Sequence, residues 1–404
     1  MNGESSPRRY FDNAATSWPK APSVAWATQN WLKGISASPG RGAYEEVRHA
    51  ASLMDRCRLN LCKLIGAETP DQIVLTLNCT DALSLAIEGT CRSARRQEQS
   101  IHIVTTAMDH NSVLRPLRDL EADGVRCTRV LADPRTGLIE PDAVMAAIEA
   151  DTRLVAINHG SNVSGSVQPI DAIGTRCQEA GVPLLVDAAQ TIGHRHVDVD
   201  DMGIDLLAFP GHKGLLGPLG IGGLWMRPGM ESKVAPVRLG GTGSRSELDI
   251  QPTTMPDRYE SGSHNMPGIV GLDAALQWIE AEGTESLYQR DREMTAFMLE
   301  RLLMIDTITV LGPTDPENRC GVYSIVTENV APEELARRME THHGILGRPG
   351  IHCAPAAHRT FGTLDSGGAF RLSIGPFTSI EDVEVAADGL AKETACSTQF
   401  AIPA

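Results

Sequence analysis

Aromatic residues, long apolar runs and closely paired cysteines are scarce in this chain of 404 residues. Aromatic side chains make up only 4% of it. No apolar run approaches the roughly 18 residues of a membrane-spanning helix, and residues 1–20 hold no apolar core of signal-peptide length. The nine cysteines are odd in number and include no Cys-x-x-Cys pair, which favours buried free thiols over a zinc ribbon. We expect a reduced, cytoplasmic protein that does not enter the membrane.

Excess positive charge is also missing. The formal net charge is −15 at pH 7, whereas a general nucleic-acid binder needs a basic patch. A small anionic ligand is still compatible with this charge, because a local cluster of donors can hold it. The hydrophobic content of 42% is ordinary for a globular protein, and a chain of this length can form two lobes with sizeable cores.

Lysine is the rarer of the two strong bases. Among the 36 lysines and arginines, the lysines are Lys20, Lys33, Lys63, Lys213, Lys233 and Lys392. Five of them lie in polar or mixed sequence typical of a surface or a helix edge. Lys213 instead lies between an apolar strand and the glycine-rich run GHKGLLGPLGIGG.

Asp187 is a second charge beside an apolar run, LLVD. Desolvating an isolated ion is costly unless the ion is paired or neutralised. A carboxylate and an amine placed in this way suggest a shared charged partner. Pyridoxal phosphate (PLP) would be one, because it takes a lysine at its aldehyde and a carboxylate at its ring nitrogen. The alternative is a solvated lysine on an ordinary turn.

Short apolar strands alternate with helical patterns from about residue 70 to 226. The predicted strands are 72–76, 101–106, 153–159, 183–187, 205–209 and 221–225, and the predicted helices are 80–94, 141–150 and 169–181. Continuous apolar strands separated by helices indicate a mostly parallel sheet covered on both faces. Ligands bind at the carboxyl ends of such strands, where Asp187, His110 and Lys213 lie.

The pattern changes after about residue 270. A long helical stretch over 269–305 leads to a second lobe. We predict strands near 307–312 and 323–328, a helix over 332–344 and a strand over 369–375 in that lobe. The expected organisation is a large domain over residues 20–268 and a smaller domain formed by residues 1–19 and 269–404.

Backbone N–H groups where a helix begins bind phosphate well. Cys79 and Thr80 open a helix directly after the first predicted strand, so they are candidate phosphate-binding residues. A plain N-cap formed by Asn78 or Thr80 is the alternative.

Three further polar residues follow strands. His110 could stack on a flat cofactor ring, or it could be a local hydrogen-bonding residue. Asn162 lies in a loop of small residues that a ligand could approach closely, although this composition is also ordinary turn chemistry. Gln190 lies three residues beyond Asp187 and could reach the same ligand.

Cys353 lies in GRPGIHCAPAAHRTFG, where glycine and proline indicate a loop rather than a packed helix. Beside His352 and Arg348 its thiol could have a lowered pKa and act as a nucleophile. An inert, half-buried thiol is the alternative.

A metal site is also considered in this region. The residues that could bind a metal are His342, His343, His352, Cys353 and His358. Their spacing matches no standard zinc pattern, so we expect no metal site.

Arg371 interrupts an apolar strand, AFRLSIGPF. A buried arginine needs an anionic partner. A substrate carboxylate held by the guanidinium fork would serve, and so would an internal Asp or Glu.

These motifs occur together in the order of a known family. From YFDNAAT to RLSIGPF, with VDAAQ, GHK and GIHCAP between, the chain resembles the cysteine desulfurases of the class V aminotransferases. The resemblance implies the α/β architecture of PLP fold-type I, the aspartate-aminotransferase-like fold. This fold has a large domain with a mostly parallel seven-stranded sheet and a smaller α/β C-terminal domain. It also implies the conversion of L-cysteine to L-alanine, with the sulfur transferred to Cys353 as a persulfide.

The resemblance assigns roles by position. Lys213 matches the Schiff-base lysine, Asp187 the partner of the pyridine nitrogen, and His110 the histidine stacked on the ring. Asn162 and Gln190 match residues near the ring hydroxyl, and Thr80 and His212 match residues that bind the phosphate. Arg371 matches the residue that binds the substrate carboxylate, beside Asn162. Ser263 matches a residue that reaches the phosphate from the other subunit, which implies a homodimer.

The short RPGIHCAP loop resembles the group II, or SufS-like, subclass, which implies a separate protein as sulfur acceptor. A selenocysteine lyase, another C–S lyase or a class V aminotransferase is the alternative, and a non-catalytic scaffold or sulfur-relay protein is a remote one. Three positions depart from the family pattern. Pro210 replaces a phosphate-binding Ser or Thr, and His264 and Met266 replace the more usual proline and small residue.

Overall fold

The computed structural model describes residues 7–40, 42–245 and 247–395. The strands are β1 (Arg9–Tyr10), β2 (Ile73–Thr76), β3 (His102–Thr106), β4 (Arg126–Val130), β5 (Thr152–Asn158), β6 (Leu184–Asp187), β7 (Leu206–Pro210), β8 (Gly222–Met226), β9 (Thr309–Val310), β10 (Val322–Val326), β11 (Ile345–Leu346), β12 (Arg348–Gly350) and β13 (Ala369–Ser373). The helices are α1 (Pro22–Lys33), α2 (Glu45–Leu64), α3 (Cys79–Arg96), α4 (Asn111–Ala122), α5 (Pro141–Ala146), α6 (Ile170–Ala180), α7 (Met266–Glu282), α8 (Thr284–Leu303), α9 (Pro332–His343), α10 (Pro355–Thr360) and α11 (Ile380–Thr394).

Within the described residues, seven strands form the large sheet in the order β2-β8-β7-β6-β5-β3-β4. From β7 to β4 every neighbouring pair is parallel, whereas β8 pairs antiparallel with both β7 and β2. The expected α/β fold with a mostly parallel seven-stranded sheet is therefore confirmed.

Both faces of this sheet are buried. Along β6, Leu184 and Val186 join one apolar cluster, which includes side chains from α2, α6 and α7. Leu185 points the other way, into a second cluster that includes side chains from α3 and α4. Alternate residues of a strand face opposite sides of a sheet, so a strand covered on both sides must be apolar throughout. This is why the central strands are continuous apolar runs in the sequence.

A smaller sheet forms the second lobe. Its strands run antiparallel in the order β12-β13-β10-β9. A third apolar cluster covers it, with Leu299 from α8, Met339 from α9 and Leu390 from α11. Phe11 is fully buried in the same cluster, and β1 pairs with β11, so the N-terminal segment belongs to this lobe by its packing.

Two expectations about the C-terminal half need correction. The helical stretch over 269–305 is two helices rather than one, because Gly283 has φ +84° and ends α7. The Cys353 segment is a loop only in part, since residues 355–360 form α10.

The boundary between the domains at residue 268 stays a prediction. The packing of α7 favours a boundary further along the chain, because Ile269, Leu272 and Leu276 belong to the cluster beneath the large sheet.

Among the described residues, no helix is both long and apolar enough to cross a bilayer. Each cysteine of the described ranges is a free thiol, and Cys396 lies outside those ranges.

Gly174 tests the packing of α6 against the turn that precedes β7. A β-carbon at this buried position would overlap the carbonyl oxygen of Met202, and a backbone group cannot rotate out of the way. We expect Gly174→Ala to lower the free energy of unfolding by about 1–3 kcal/mol, the usual cost of overpacking. Thermal or denaturant unfolding measures it.

The matched control is Thr175→Ala, at the next and exposed position of the same helix. It should change the free energy of unfolding by less than about 0.5 kcal/mol. Equal midpoints of the unfolding transition in Gly174→Ala and Thr175→Ala would contradict the close approach of α6 to Met202.

Candidate active site

A cavity opens where the parallel strands of the large sheet end. Its lining residues are Asn78, Cys79, Thr80, Leu83, His110, Ser112, Asn158, Gly160, Asn162, Asp187, Ala189, Gln190, Pro210, His212 and Lys213. Carboxyl ends of parallel strands share one edge of a sheet, which is why side chains far apart in sequence meet here. The structure thus brings together eight residues expected from the sequence: Cys79, Thr80, His110, Asn162, Asp187, Gln190, His212 and Lys213.

The start of α3 forms one wall of this cavity. Asn78 is the N-cap, and its side-chain oxygen accepts the backbone N–H of Asp81 at 3.0 Å. The N–H groups of Cys79 and Thr80 lie in the same first turn, where a helix offers no internal acceptor. Asn78 is therefore the capping residue, and the turn also presents donors suited to an anion.

Asp187 and Lys213 face this cavity from neighbouring strand ends. Asp187 accepts the backbone N–H of Ala189 at 2.9 Å and contacts the thiol of Cys79 at 3.5 Å. Burial raises the pKa of Asp187 and lowers the pKa of Lys213, and the charge of each opposes the shift of the other. The interior therefore disfavours both ions, and each depends on opposite charge nearby.

His110 has a fixed tautomer. It is the N-cap of α4, and its Nδ1 accepts the backbone N–H of Ser112 at 3.0 Å. Burial, reinforced by the charge of Lys213, lowers the pKa of His110 to about 4. The ring is therefore neutral at pH 7, with its proton on Nε2. The Ser112 hydroxyl joins Nδ1 at 2.9 Å and the Thr80 hydroxyl at 2.7 Å, which ties the starts of α3 and α4 together.

Two polar atoms of this cavity lack a partner among the described residues. They are Oδ1 of Asn158 and Nδ1 of His212, and both are buried. Buried polar atoms left unpaired cost free energy, so a polar ligand is the natural partner for them. Gln190 donates its amide N–H to the carbonyl of Ala14 at 3.1 Å, which leaves its side-chain oxygen available.

The Cys353 loop lies at the edge of this cavity. Its backbone is tied to lining segments: Asn111 N–H donates to the Cys353 carbonyl at 2.8 Å, and the Asn162 amide donates to the His352 carbonyl at 2.6 Å. The Cys353 side chain is exposed, and Nη2 of Arg348 lies 3.9 Å from its sulfur. Both nitrogens of the His352 ring have other partners, so Arg348 is the basic neighbour of the thiol and His352 is not.

Arg371 is almost completely buried on β13. Its Nη2 donates to Asp12 at 2.7 Å and its Nη1 to the backbone carbonyl of Asn162 at 3.1 Å, while Nε is buried without a partner among the described residues. Of the two anionic partners that the sequence left open, an internal carboxylate is therefore present. Asn162 connects Arg371, the Cys353 loop and the cavity.

Ser263 does not join these residues. It lies in an exposed segment beside a separate cavity with Glu260 and Arg238.

The five residues weighed as metal ligands also fall into separate groups. His352, in the Cys353 loop, contacts His358, with Nδ1 of His352 3.2 Å from Nε2 of His358. His342 and His343 instead contact Glu393, each at 2.9 Å.

Lys20 is a site neighbour that the sequence did not reveal. Rather than lying on the surface, it is half-buried and donates to the carbonyl of His212 at 2.8 Å. It also donates to the hydroxyls of Thr16 and Ser17, and burial lowers its pKa to about 8. Lys20 therefore fixes the turn that carries Lys213. Its polar sequence context gave no sign of this, because the contact spans 192 positions of the chain.

Fold and site together define an α/β enzyme of fold-type I with a half-buried lysine and a buried carboxylate in one cavity. A model of the aminotransferase class-V family matches residues 9–385. The chain belongs to this family.

Its relatives are named as cysteine desulfurases. A probable cysteine desulfurase of Methanothermobacter thermautotrophicus is 32% identical over 386 residues, which cover 94% of this chain and 93% of the relative. A cysteine desulfurase of Cronobacter sakazakii is 28% identical over 393 residues, covering 96% and 94% of the two chains. The apo structure of a cysteine desulfurase from Thermococcus onnurineus NA1 superposes with a TM-score of 0.88 at 28% identity, covering 97% of this chain and 96% of that one.

The N-cap role of His110 can be tested by protein stability, without an activity assay. His110→Ala removes the acceptor of the Ser112 N–H, so we expect it to destabilise the protein by about 1 kcal/mol, as the loss of an N-cap does. His110→Asn keeps an oxygen that caps well and should unfold close to wild type. Thermal unfolding of the two variants checks this, and equal losses in both would contradict the capping role.

Proposed function

We propose that this chain is a PLP-dependent cysteine desulfurase that converts L-cysteine to L-alanine and receives the sulfur on Cys353 as a persulfide. One observation carries the proposal. An exposed cysteine is tied by its own loop backbone to the rim of a cavity that contains Lys213 and Asp187. The family and the names of the relatives support the same reaction.

The lining residues fit pyridoxal phosphate. The amine of Lys213 would hold its aldehyde and the carboxylate of Asp187 its ring nitrogen, with His110 against the ring. The unpaired atoms of Asn158 and His212 need polar partners of the kind that the cofactor carries. For its phosphate we propose Cys79, Thr80 and His212, and for its ring hydroxyl Asn162 and Gln190. When bound, the cofactor supplies an electron sink that makes the Cα proton of the amino acid removable.

Pro210 is the lining residue that fits a phosphate group least well. It lines the cavity at the end of β7, where the family pattern has a hydroxyl residue, and it has neither a hydroxyl nor an N–H. The phosphate would therefore be held by the other donors, Cys79, Thr80 and His212.

Lys213 is suited to move the Cα proton. Burial lowers its pKa, which favours the neutral amine that a base requires. The thiolate of Cys353 then attacks the sulfur of the substrate. An S–S bond forms and the C–S bond breaks, and the three-carbon fragment keeps the electron pair, takes up protons and leaves as alanine. The products, alanine and a persulfide, balance L-cysteine plus the enzyme thiol without any external oxidant.

Arg371 is the proposed partner of the substrate carboxylate. Asp12 accepts a hydrogen bond from Nη2 of the Arg371 guanidinium. The substrate carboxylate therefore binds either beside Asp12 or in place of it. The unpaired Nε is a free donor for this purpose.

Several finer features stay predictions. Only residues 351–354 separate β12 from α10, which supports the short-loop SufS-like subclass and a separate protein as sulfur acceptor. Ser263 lies away from the cavity of its own chain, as a residue that completes a partner's site would, and this supports the homodimer. A cytoplasmic location is likewise a prediction.

The direct test incubates the purified protein with L-cysteine and, separately, with L-selenocysteine and measures alanine. We expect alanine from L-cysteine. Alanine from selenocysteine alone would favour a selenocysteine lyase, and no alanine from either would overturn the proposal.

Cys353→Ala separates the two reactions further. This variant should lose alanine formation from L-cysteine, because no thiolate remains to take the sulfur, and should keep cleavage of selenocysteine, which proceeds in this family without the cysteine. Cys127→Ala, a half-buried thiol on β4, is the matched control and should behave as wild type. Sulfide release from L-cysteine at the wild-type rate by Cys353→Ala would rule out the persulfide mechanism.

Arg371→Lys tests carboxylate recognition. Lysine keeps the charge but loses the planar fork, so kcat/KM for L-cysteine should fall by about 10–100-fold, mostly through KM. Arg337→Lys, on the exposed face of α9, is the control. An unchanged KM in Arg371→Lys would contradict this role.

A further inference from the structure

The two residues at the tip of the Cys353 loop have an unusual backbone. His352 has φ +52° and Cys353 has φ +58°. Residues other than glycine pay roughly 1–2 kcal/mol for the left-handed conformation, and two in succession are rare. Such a backbone persists only where neighbouring contacts enforce it.

A chain of hydrogen bonds holds the first of these residues by its ring. Nε2 of His352 lies 3.0 Å from the carbonyl of Arg348. A carbonyl only accepts, so this nitrogen carries the proton. Burial lowers the pKa of His352 to about 3, so the ring is neutral and its Nδ1 is an acceptor.

The remaining tautomers follow in sequence. Nδ1 of His352 lies 3.2 Å from Nε2 of His358, which must therefore be the protonated nitrogen of that ring. Burial lowers the pKa of His358 to about 4, so its Nδ1 accepts the hydroxyl of Thr363 at 2.8 Å. Every donor in this series points the same way, from Thr363 through His358 and His352 to Arg348.

This series ends on the residue that approaches the thiol. The carbonyl of Arg348 fixes one end of the His352 ring, and the guanidinium of Arg348 lies 3.9 Å from the sulfur of Cys353. The His352 carbonyl is held by Asn162, so ring and backbone are both fixed. His358 and Thr363 belong to α10 and the turn after it, and both are buried.

We propose that His358 and Thr363 are positioning residues that hold His352 in its left-handed conformation and so place the Cys353 sulfur for attack on the substrate. They touch neither substrate nor cofactor. The inference rests on the proposed function for its kinetic consequence, but the hydrogen-bonded series and the backbone angles exist without it.

The experiment compares His358→Leu with His358→Gln. Glutamine places an N–H donor close to that of Nε2 and can restore the bond to His352, whereas leucine cannot. In His358→Leu we expect kcat for alanine formation from L-cysteine to fall by about tenfold with KM nearly unchanged, since the hydrogen bonds to His352 and to Thr363 are both lost. His358→Gln should recover most of the rate, and Thr363→Val should show a smaller loss.

Selenocysteine is the internal control, because its cleavage bypasses Cys353. The rate with selenocysteine should stay near wild type in all three variants. His342→Gln, an exposed histidine of α9 in the same lobe, is the matched variant and should change neither rate. Equal losses with both substrates, or equal losses in His358→Leu and His358→Gln, would overturn the positioning role.

Hydrogen–deuterium exchange provides a readout independent of activity. Amides of residues 348–360 should exchange faster in His358→Leu and not in His358→Gln, while the large sheet stays protected. Unchanged exchange in the loop, or faster exchange throughout the chain, would contradict the inference. If the wild type formed no alanine, the proposed function would fail, and the exchange result alone would decide this inference.

Discussion

The site depends on the burial of opposite charges at the ends of two adjacent parallel strands. Asp187 ends β6, and Lys213 lies just past β7, in the turn that Lys20 fixes. Neither charge is stable alone in this interior, as the opposite shifts of their pKa values show. A sheet covered on both faces keeps both charges largely away from water, and the ring of the proposed cofactor between them would relieve both costs.

In the proposed reaction, the smaller lobe would supply the thiol and the guanidinium that act on the substrate. Cys353 lies in the loop after β12 and Arg371 lies on β13, and both this loop and Arg371 connect to the cavity through Asn162. This one residue binds the loop by its side chain and the guanidinium by its carbonyl. The cavity and the second lobe are therefore in direct contact, which would let the proposed cofactor site on the large sheet present its substrate to a thiol from the other lobe.

The sequence predicted those features that have a local signal. Apolar runs located β5, β6 and β7, and strand ends located Asp187 and His110, because burial on two faces leaves a continuous pattern. The sequence pattern did not reveal β4, because its residues are mostly polar or half-buried at the edge of the sheet. The sequence also gave no sign of the contacts of Lys20, Asp12 and His358, since these contacts form only in the folded chain.

In the proposed site Lys213, alone among the six lysines, would hold pyridoxal phosphate. The most direct test treats the cofactor-loaded protein with borohydride, which fixes the linkage permanently, and locates the phosphopyridoxyl group by peptide mass spectrometry. We expect the label on the peptide that contains Lys213, and no stable label in Lys213→Ala. A label on Lys20 or any other lysine, or none at all on the wild type, would contradict it.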